Sequence, residues 1–335
     1  MAIDAGAAVE EAERGTRPLR KLANRLLFGI GEREARFDRR GFPAPGGEKQ
    51  RRLEDIGRAF VCGYREALEA DGVGPLASRL DRTPPSHRGF AYEGAAMGLA
   101  LTDLLWREQR FRRFLHGPAA PHRYMAHVGY GWAVARAPWL RRRPRRTLEG
   151  HAPSIAPLIL DGYGFHAGYF HPRSTVAQAH IPAGLDEACG KVFDQGLGRC
   201  LWFYAAADPD CVGAAIAGFP IRRRGDLWSG VGLAAAYTGI GDETDSRRLL
   251  ALAGPHVGDV RQGAAFAAEA REAAGIPTPD STRAASVLCG APASAAAAIA
   301  REEERIGAAG LDAYEAWRTR IRRRLETAAP TGRLA

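Results

Sequence analysis

Small and apolar residues in this chain gather into seven short glycine-centred segments that return at nearly constant spacing. They begin at Gly63, Gly94, Gly129, Gly162, Gly196, Gly230 and Gly263, with gaps of 31, 35, 33, 34, 34 and 33 residues. A fixed period of that size marks a repeat architecture. Within the segments small residues recur at i and i+4, which puts them on one face of a helix. No alternating β-branched run precedes any of them, so their Gly-x-Gly pairs lack the strand that a dinucleotide fingerprint requires. A glycine inside a helix costs about 1 kcal/mol relative to alanine. Accepting that cost at matched positions predicts close helix crossings, with the glycines as packing residues rather than phosphate contacts.

Between segments there is room for a second helix and two turns, as at Thr102–Leu115, Asp210–Ala217 and Ser246–Ala253. Prolines at 85, 121, 220 and 255 are expected to end those second helices, because proline cannot continue a helix interior. The fold class is therefore all-α: a helical-repeat α-solenoid or α/α toroid of about seven helix pairs, each of roughly 33 residues. A tetratricopeptide signature is only partly met, at Trp228, Val231 and Gly232. The expected organisation is an N-terminal extension and first helix (1–50), helical repeats (51–275) and C-terminal capping helices (276–335). Ser281 or Thr282 reads as an N-cap and Pro292 as the start of another helix. A last amphipathic helix spans Leu311 to Leu325, with Tyr314, Trp317 and Ile321 on one stripe.

Composition narrows the class. Apolar residues make up 46% of the 335, enough for a buried core. No run of 18 apolar residues occurs and the start lacks a signal-like pattern, so a cytoplasmic protein is expected, peripheral at a membrane at most. The five cysteines (62, 189, 200, 211 and 289) show no metal-ligand spacing. Net charge is +9, with basic runs at Arg141–Arg146, Arg222–Arg224 and Arg320–Arg324. These suit an acidic protein domain or anionic lipid, or serve as solvated helix ends. No nucleic-acid module accompanies them, so nucleic acid is not an expected partner.

Candidate chemistry comes from aligning the segments on their first glycine. The residue before it is Cys62, Glu93, Val128, Asp161, Gln195, Ser229 or Gln262; three places after it stand Glu66, Met97, Trp132, Phe165, Arg199, Leu233 and Phe266. Polar groups ringed by aromatic and apolar side chains describe a pocket for a long apolar ligand. The same groups serve equally well as hydrogen-bond partners between repeats. His166 interrupts a column of small residues and is the candidate catalytic acid or base. Gln195, Arg199 and Trp202 share a stripe, with Asp194 beside it, and Asp226 and Trp228 extend the set. Asp161, Asp194, Gln195, Arg199, Trp202, Asp226, Trp228, Gln262 and Phe266 are thus the candidate substrate-binding residues. His166, Asp194, Gln195, Arg199 and Gln262 are expected to converge on one cavity. In it His166 would be the only group titrating near neutral pH, and His166→Ala and Arg199→Ala would leave stability nearly intact. No cofactor or metal motif is present.

The strings DGYGFHAGYFH (161–171), VFDQGLGRCLWF (192–203), RRRGDLWSGVGLAAAY (222–237) and RQGAAFAAEAR (261–271) resemble a bacterial family known as UnbL-type enediyne biosynthesis proteins. The C-terminal Tyr314–Ile321 stretch is similar too. The resemblance implies an accessory role in converting a linear polyene or polyyne, made by an iterative polyketide synthase, into an enediyne core. It further implies as partners the synthase or its carrier domain and companion proteins, one of them in the membrane. It supplies no catalytic residue list. A non-catalytic scaffold for the same enzymes is the alternative.

Overall fold

The structure is a computed structural model that describes residues 18–304 and 310–328. Among the described residues every regular element is helical. A helix over residues 18–28, α1, comes first. Seven longer helices carry the seven glycine segments: α2 (Gly47–Glu69), α4 (Pro85–Trp106), α6 (Arg123–Arg136), α7 (Leu158–Phe170), α8 (Glu187–Tyr204), α10 (Ile221–Thr238) and α12 (Val257–Ala273). Shorter helices return the chain: α3 (Val73–Leu80), α5 (Arg110–His116), α9 (Pro209–Ala217), α11 (Glu243–Ala253) and α13 (Pro279–Cys289). After α6 and α7 the return is made instead by short turns around Pro138–Leu148 and Arg173–Ala177. The chain closes with α14 (Ala293–Glu303) and α15 (Gly310–Ala328).

The glycine helices form a row in which each packs on the next. Their spacing explains the Gly-x-Gly pairs. A Cβ on Gly196 would lie 1.8 Å from the Asp161 carbonyl oxygen of the preceding helix, and one on Gly198 would lie 2.0 Å from the Leu227 carbonyl of the next. Residues i and i+2 sit on opposite sides of a helix, so one glycine serves each neighbour. Gly162 and Gly164, and Gly230 and Gly232, repeat the arrangement in the same register. Gly164 faces Phe193 while Gly168, one turn later, faces Leu197 and Cys200, so adjacent helices run parallel. The short helices α9, α11 and α13 stack on one another outside the row.

Prolines 85, 121, 220 and 255 do not end the second helices. Pro85 opens α4, Pro220 caps α10, and Pro121 and Pro255 lie in the 3₁₀ turns that lead into α6 and α12. A proline at a helix start loses no hydrogen bond, since its missing N–H would be unpaired there anyway. Thr102 belongs to α4 rather than to a second helix, which begins only at Arg110. The N-cap of α13 is Thr278, in a capping box with Ser281.

The ends of the row meet. Arg52 pairs with Asp280 at 2.9 Å, Lys49 with Asp245 at 2.8 Å, and Arg271 donates to the Pro85 and Ser86 carbonyls at 3.3 and 3.2 Å. Helix α15 buries Leu311, Tyr314, Trp317, Ile321 and Leu325, the stripe expected from the sequence. It does not extend the row. It lies on the residues one before and three after the glycines, through Tyr314 on Gln195, Arg318 on Gln262 and Trp317 on Phe266.

Two substitutions within α8 check the packing. Gly196→Ala should destabilise by about 1–3 kcal/mol through overpacking. A Cβ on Gly190 would meet nothing within 4 Å, so Gly190→Ala should stabilise by up to about 1 kcal/mol. Urea unfolding measures both; equal signs would refute the crossing geometry.

Candidate functional site

Because glycine contacts occupy both flanks of the five inner helices and one flank of each end helix, the positions one before and three after the glycines turn to the same inner side. Glu93, Asp161, Gln195, Ser229, Gln262, Met97, Trp132, Phe165, Arg199 and Phe266 are all buried there. Two narrow chambers remain between them. The first, about 40 Å³, is walled by Phe60, Met97, Trp132, Phe165 and Glu93, and closed by Ile30, Glu34 and Ala35 from the N-terminal segment. The second, about 30 Å³, is walled by Met125, Leu158, Leu233, Tyr237 and Phe266, with Trp317 of α15. Each has room for roughly two or three waters. Arg199 borders both.

The partition is an ion cluster drawn from three helices. Arg199 Nη1 lies 2.5 Å from Asp161 Oδ1, and its Nη2 lies 3.9 Å from Glu93 Oε2. Gln195 Nε2 donates to Asp161 Oδ2 at 2.8 Å, and Trp132 Nε1 donates to Glu93 Oε1 at 3.0 Å. The guanidinium also lies 5.2 Å from the Phe165 ring centre. One cation therefore faces two carboxylates, and Asp161 holds the closer contact. Burial pushes the Glu93 carboxyl up to about 7; Arg199 opposes the rise and Asp161 reinforces it. Burial also opposes the charge on Arg199, but the two carboxylates outweigh it and keep the guanidinium protonated. The Tyr237 hydroxyl, on the wall of the second chamber, has no hydrogen-bond partner among the described residues.

The sequence-derived candidates divide into groups. Asp161, Gln195 and Arg199 form the partition, and Phe266 lines the second chamber. Gln262 accepts from Ser229 Oγ at 2.8 Å and from Arg318 Nε at 3.1 Å, and Arg318 also holds Asp226 at 2.8 Å. These polar residues fasten α15, so here the inter-repeat bonding reading applies. Asp194 is not at either chamber: Arg223 takes it in a bidentate pair at 2.8 and 2.6 Å. Trp202 Nε1 donates to Thr238 Oγ1 at 3.1 Å, and Trp228 is buried; neither borders a chamber.

His166 does not fill the expected role. Its ring packs against Trp132 and Phe170, at 5.5 and 4.5 Å between centres, and it borders neither chamber. Burial, reinforced by the charge of Arg136, holds it neutral, with a pKa well below the ordinary histidine value. The group that titrates near neutrality is Glu93. It appears in the sequence column before the first glycines, but only the fold shows it to be the second carboxylate on a single arginine. The geometry argues against the expectation that Arg199→Ala would leave stability intact: the change would leave Asp161 buried without its cation, with only the Gln195 hydrogen bond, at an expected cost of about 3–5 kcal/mol.

Glu93 gives the protein a distinctive pH dependence. Its pKa rises from 4.5 to about 7 on folding. The folded state then holds the proton more tightly, so stability falls as pH climbs from about 4.5 through 7 and is level above that. The difference amounts to about 3 kcal/mol. Glu93→Gln keeps the acceptor for Trp132 and removes the titration. Its stability relative to the parent should grow between pH 5 and pH 8 by up to that amount. Urea titrations at several pH values measure it, and a constant difference would exclude the assignment.

No curated protein and no solved structure matches the chain. A family model described as "Protein of unknown function (DUF1702)" matches residues 19–325, which covers all but the first residue of α1 and the last three of α15. The chain therefore belongs to the DUF1702 family.

Proposed function

We propose that this protein is an accessory protein of enediyne natural-product biosynthesis, which binds a linear polyene-derived polyketide intermediate in its interior and assists its conversion towards the enediyne core. The observation that carries the reading is the divided apolar interior with one surplus carboxyl group at its partition. A thin, conjugated hydrocarbon chain suits aromatic walls such as Phe60, Trp132, Phe165 and Phe266, and its exclusion from water protects a reactive molecule. To admit one, the walls of the two chambers must part, since each has room for only a few waters.

Glu93 is the residue suited to chemistry. A carboxyl poised near pH 7 is balanced between donating and accepting a proton. If it protonates a substrate carbon, the carboxylate left behind is met by Arg199 and the Trp132 N–H. Arg199 and Asp161 hold the cluster, and Tyr237 supplies a free hydroxyl on the other side. The partners in this reading are the polyene or polyyne, the polyketide synthase or its carrier domain, and companion proteins including one in the membrane. The second reading, a scaffold without chemistry, is favoured by the exposed arginines at 141–143, which offer an acidic partner a binding face.

Complementation of a deletion in a producing strain separates the two. The Glu93→Gln protein should fold, yet product should fall by at least about 100-fold, the usual range for removing a general acid or base, while a linear intermediate accumulates in the mass spectrum. Full complementation by Glu93→Gln would remove the catalytic reading. With purified parent protein, a linear conjugated polyene should quench tryptophan fluorescence, and Trp132→Phe should weaken that signal. Absence of any quenching would count against binding in the first chamber.

A further inference from the structure

Helix α1 is amphipathic, but it is mounted with its polar side inwards. Asn24, fully buried, donates to the Leu68 carbonyl at 3.0 Å and accepts from Trp106 Nε1 at 2.8 Å. Lys21 pairs with Asp71 at 2.7 Å, Arg25 with Glu69 at 2.9 Å, and Arg20 with Glu108. The opposite side presents Leu19, Leu22, Leu26 and Leu27, which are 69, 52, 77 and 60% exposed. Their spacing at i, i+3, i+7 and i+8 makes one continuous stripe. Leu104, Leu105 and Trp106, at the end of α4, add further exposed apolar surface, and Trp106 joins α1 through Asn24. Exposed apolar patches of this kind mark an interaction site.

The surroundings state the chemistry of the partner. Leu104 forms part of the wall of a cleft of about 360 Å³ that also holds Arg107, Arg112, His116 and His151. Arg107 occupies the left-handed region, at φ 58°, where the helix would more readily end on glycine. Its backbone is strained there, and its side chain faces the cleft. Asp103 is the cleft's carboxylate, and it is engaged by the backbone N–H groups of Arg110 and Phe111. Arg107 and Arg112 form no ion pair among the described residues. The glycine helices run parallel, so the end of α6 lies at the same end of the row as the end of α4. There the chain exposes Trp139 at 62% and Arg141, Arg142 and Arg143, which also form no ion pair among the described residues. Leucines, an interfacial tryptophan and unpaired arginines on one end match an anionic lipid surface, with apolar side chains in the acyl boundary and cations at the phosphates. No single helix among the described residues is long and apolar enough to cross a membrane.

We propose that the end of the row bearing α1, Leu104–Arg107 and Trp139–Arg143 docks the protein on the surface of an anionic bilayer, with the arginine-lined cleft receiving a lipid phosphate. This rests on the surface alone and not on the function proposed for the interior.

The test is co-sedimentation of the full chain with phosphatidylcholine vesicles, with and without phosphatidylglycerol. The parent should bind the anionic vesicles, bind pure phosphatidylcholine weakly, and lose binding as salt rises. Leu22→Glu/Leu26→Glu changes only exposed side chains, so its melting temperature should match the parent while vesicle binding falls at least about tenfold. If that variant fails to fold, Arg141→Glu/Arg142→Glu supplies the same test from the other side of the face. Failure of the parent to bind anionic vesicles would overturn the proposal, as would parent-like binding by the folded variants. A parent dimer that Leu22→Glu/Leu26→Glu converts to monomer, without vesicle binding, would assign the face to a second copy instead.

Discussion

The contact on which the rest of the structure depends is main chain against main chain at the glycine crossings. A Cβ on any of Gly162, Gly196, Gly230 or Gly263 would lie within 2.0 Å of a carbonyl oxygen on the preceding helix. Such an approach brings Cα–H groups onto carbonyl oxygens, each contact worth about 0.5–1 kcal/mol. The greater effect is geometric. Every acceptor in these four pairs is the residue just before the previous segment's first glycine, so rotation and height of each helix are set by its neighbour. With both flanks committed to neighbours, the third side has only one direction left. The inward position of Glu93, Trp132, Asp161 and Arg199 follows from the glycines beside them.

That register also explains how the buried cluster is assembled. Glu93, Asp161 and Arg199 come from α4, α7 and α8 and occupy repeat positions that always turn inwards. Replacing such a cluster with well-packed apolar residues is often neutral or stabilising, so its presence is weak evidence of a role in stability. Two carboxylates on one arginine make a poor structural device, because burial and the neighbouring Asp161 both disfavour the charge on the second, Glu93. In the proposed reading the imbalance would be useful, because Arg199 lies close enough to stabilise the Glu93 carboxylate once its proton has left. The same reasoning sets His166 aside. It sits against Trp132 and Phe170, and both its burial and the nearby Arg136 disfavour an imidazolium.

The period, the helical class and the packing role of the glycines were legible in the sequence because each rests on spacing within one chain segment. The stripe on α15 was legible for the same reason. What its stripe packs against was not, since an amphipathic helix shows that it buries a face and not which surface receives it. Proline positions gave helix boundaries but left open which side of the boundary held the helix; Pro85 and Pro220 suit a start as well as an end. The columns of polar residues gave the correct inner face, including Asp161, Gln195 and Arg199. They could not apportion partners. Asp194, adjacent to Gln195 in sequence, turns about 100° away on the helix and finds Arg223, while Glu93 reaches Arg199 across three repeats. The first helix was expected from the sequence, but the direction of its leucines was not read there; Asn24 and its flanking ion pairs, whose partners lie far along the chain, are what turn the leucines outwards.

The two chambers are closed by the chain's ends rather than by repeats. Ile30, Glu34 and Ala35 wall the first, fixed in place by Tyr169, whose hydroxyl donates to the Glu34 carbonyl at 3.1 Å. Trp317 walls the second, held by its indole N–H on the Ala300 carbonyl at 2.8 Å. An inner repeat helix cannot move without breaking glycine contacts on both flanks, whereas a terminal segment is held by side-chain packing and ion pairs without such main-chain crossings. Opening is therefore easiest at the ends. On the N-terminal side, α1 finishes at residue 28, two residues before Ile30. Any force on the exposed leucine stripe thus reaches the wall of the first chamber through a linker of one residue, Gly29. Surface and interior are mechanically adjacent at the point where the first chamber is most easily opened.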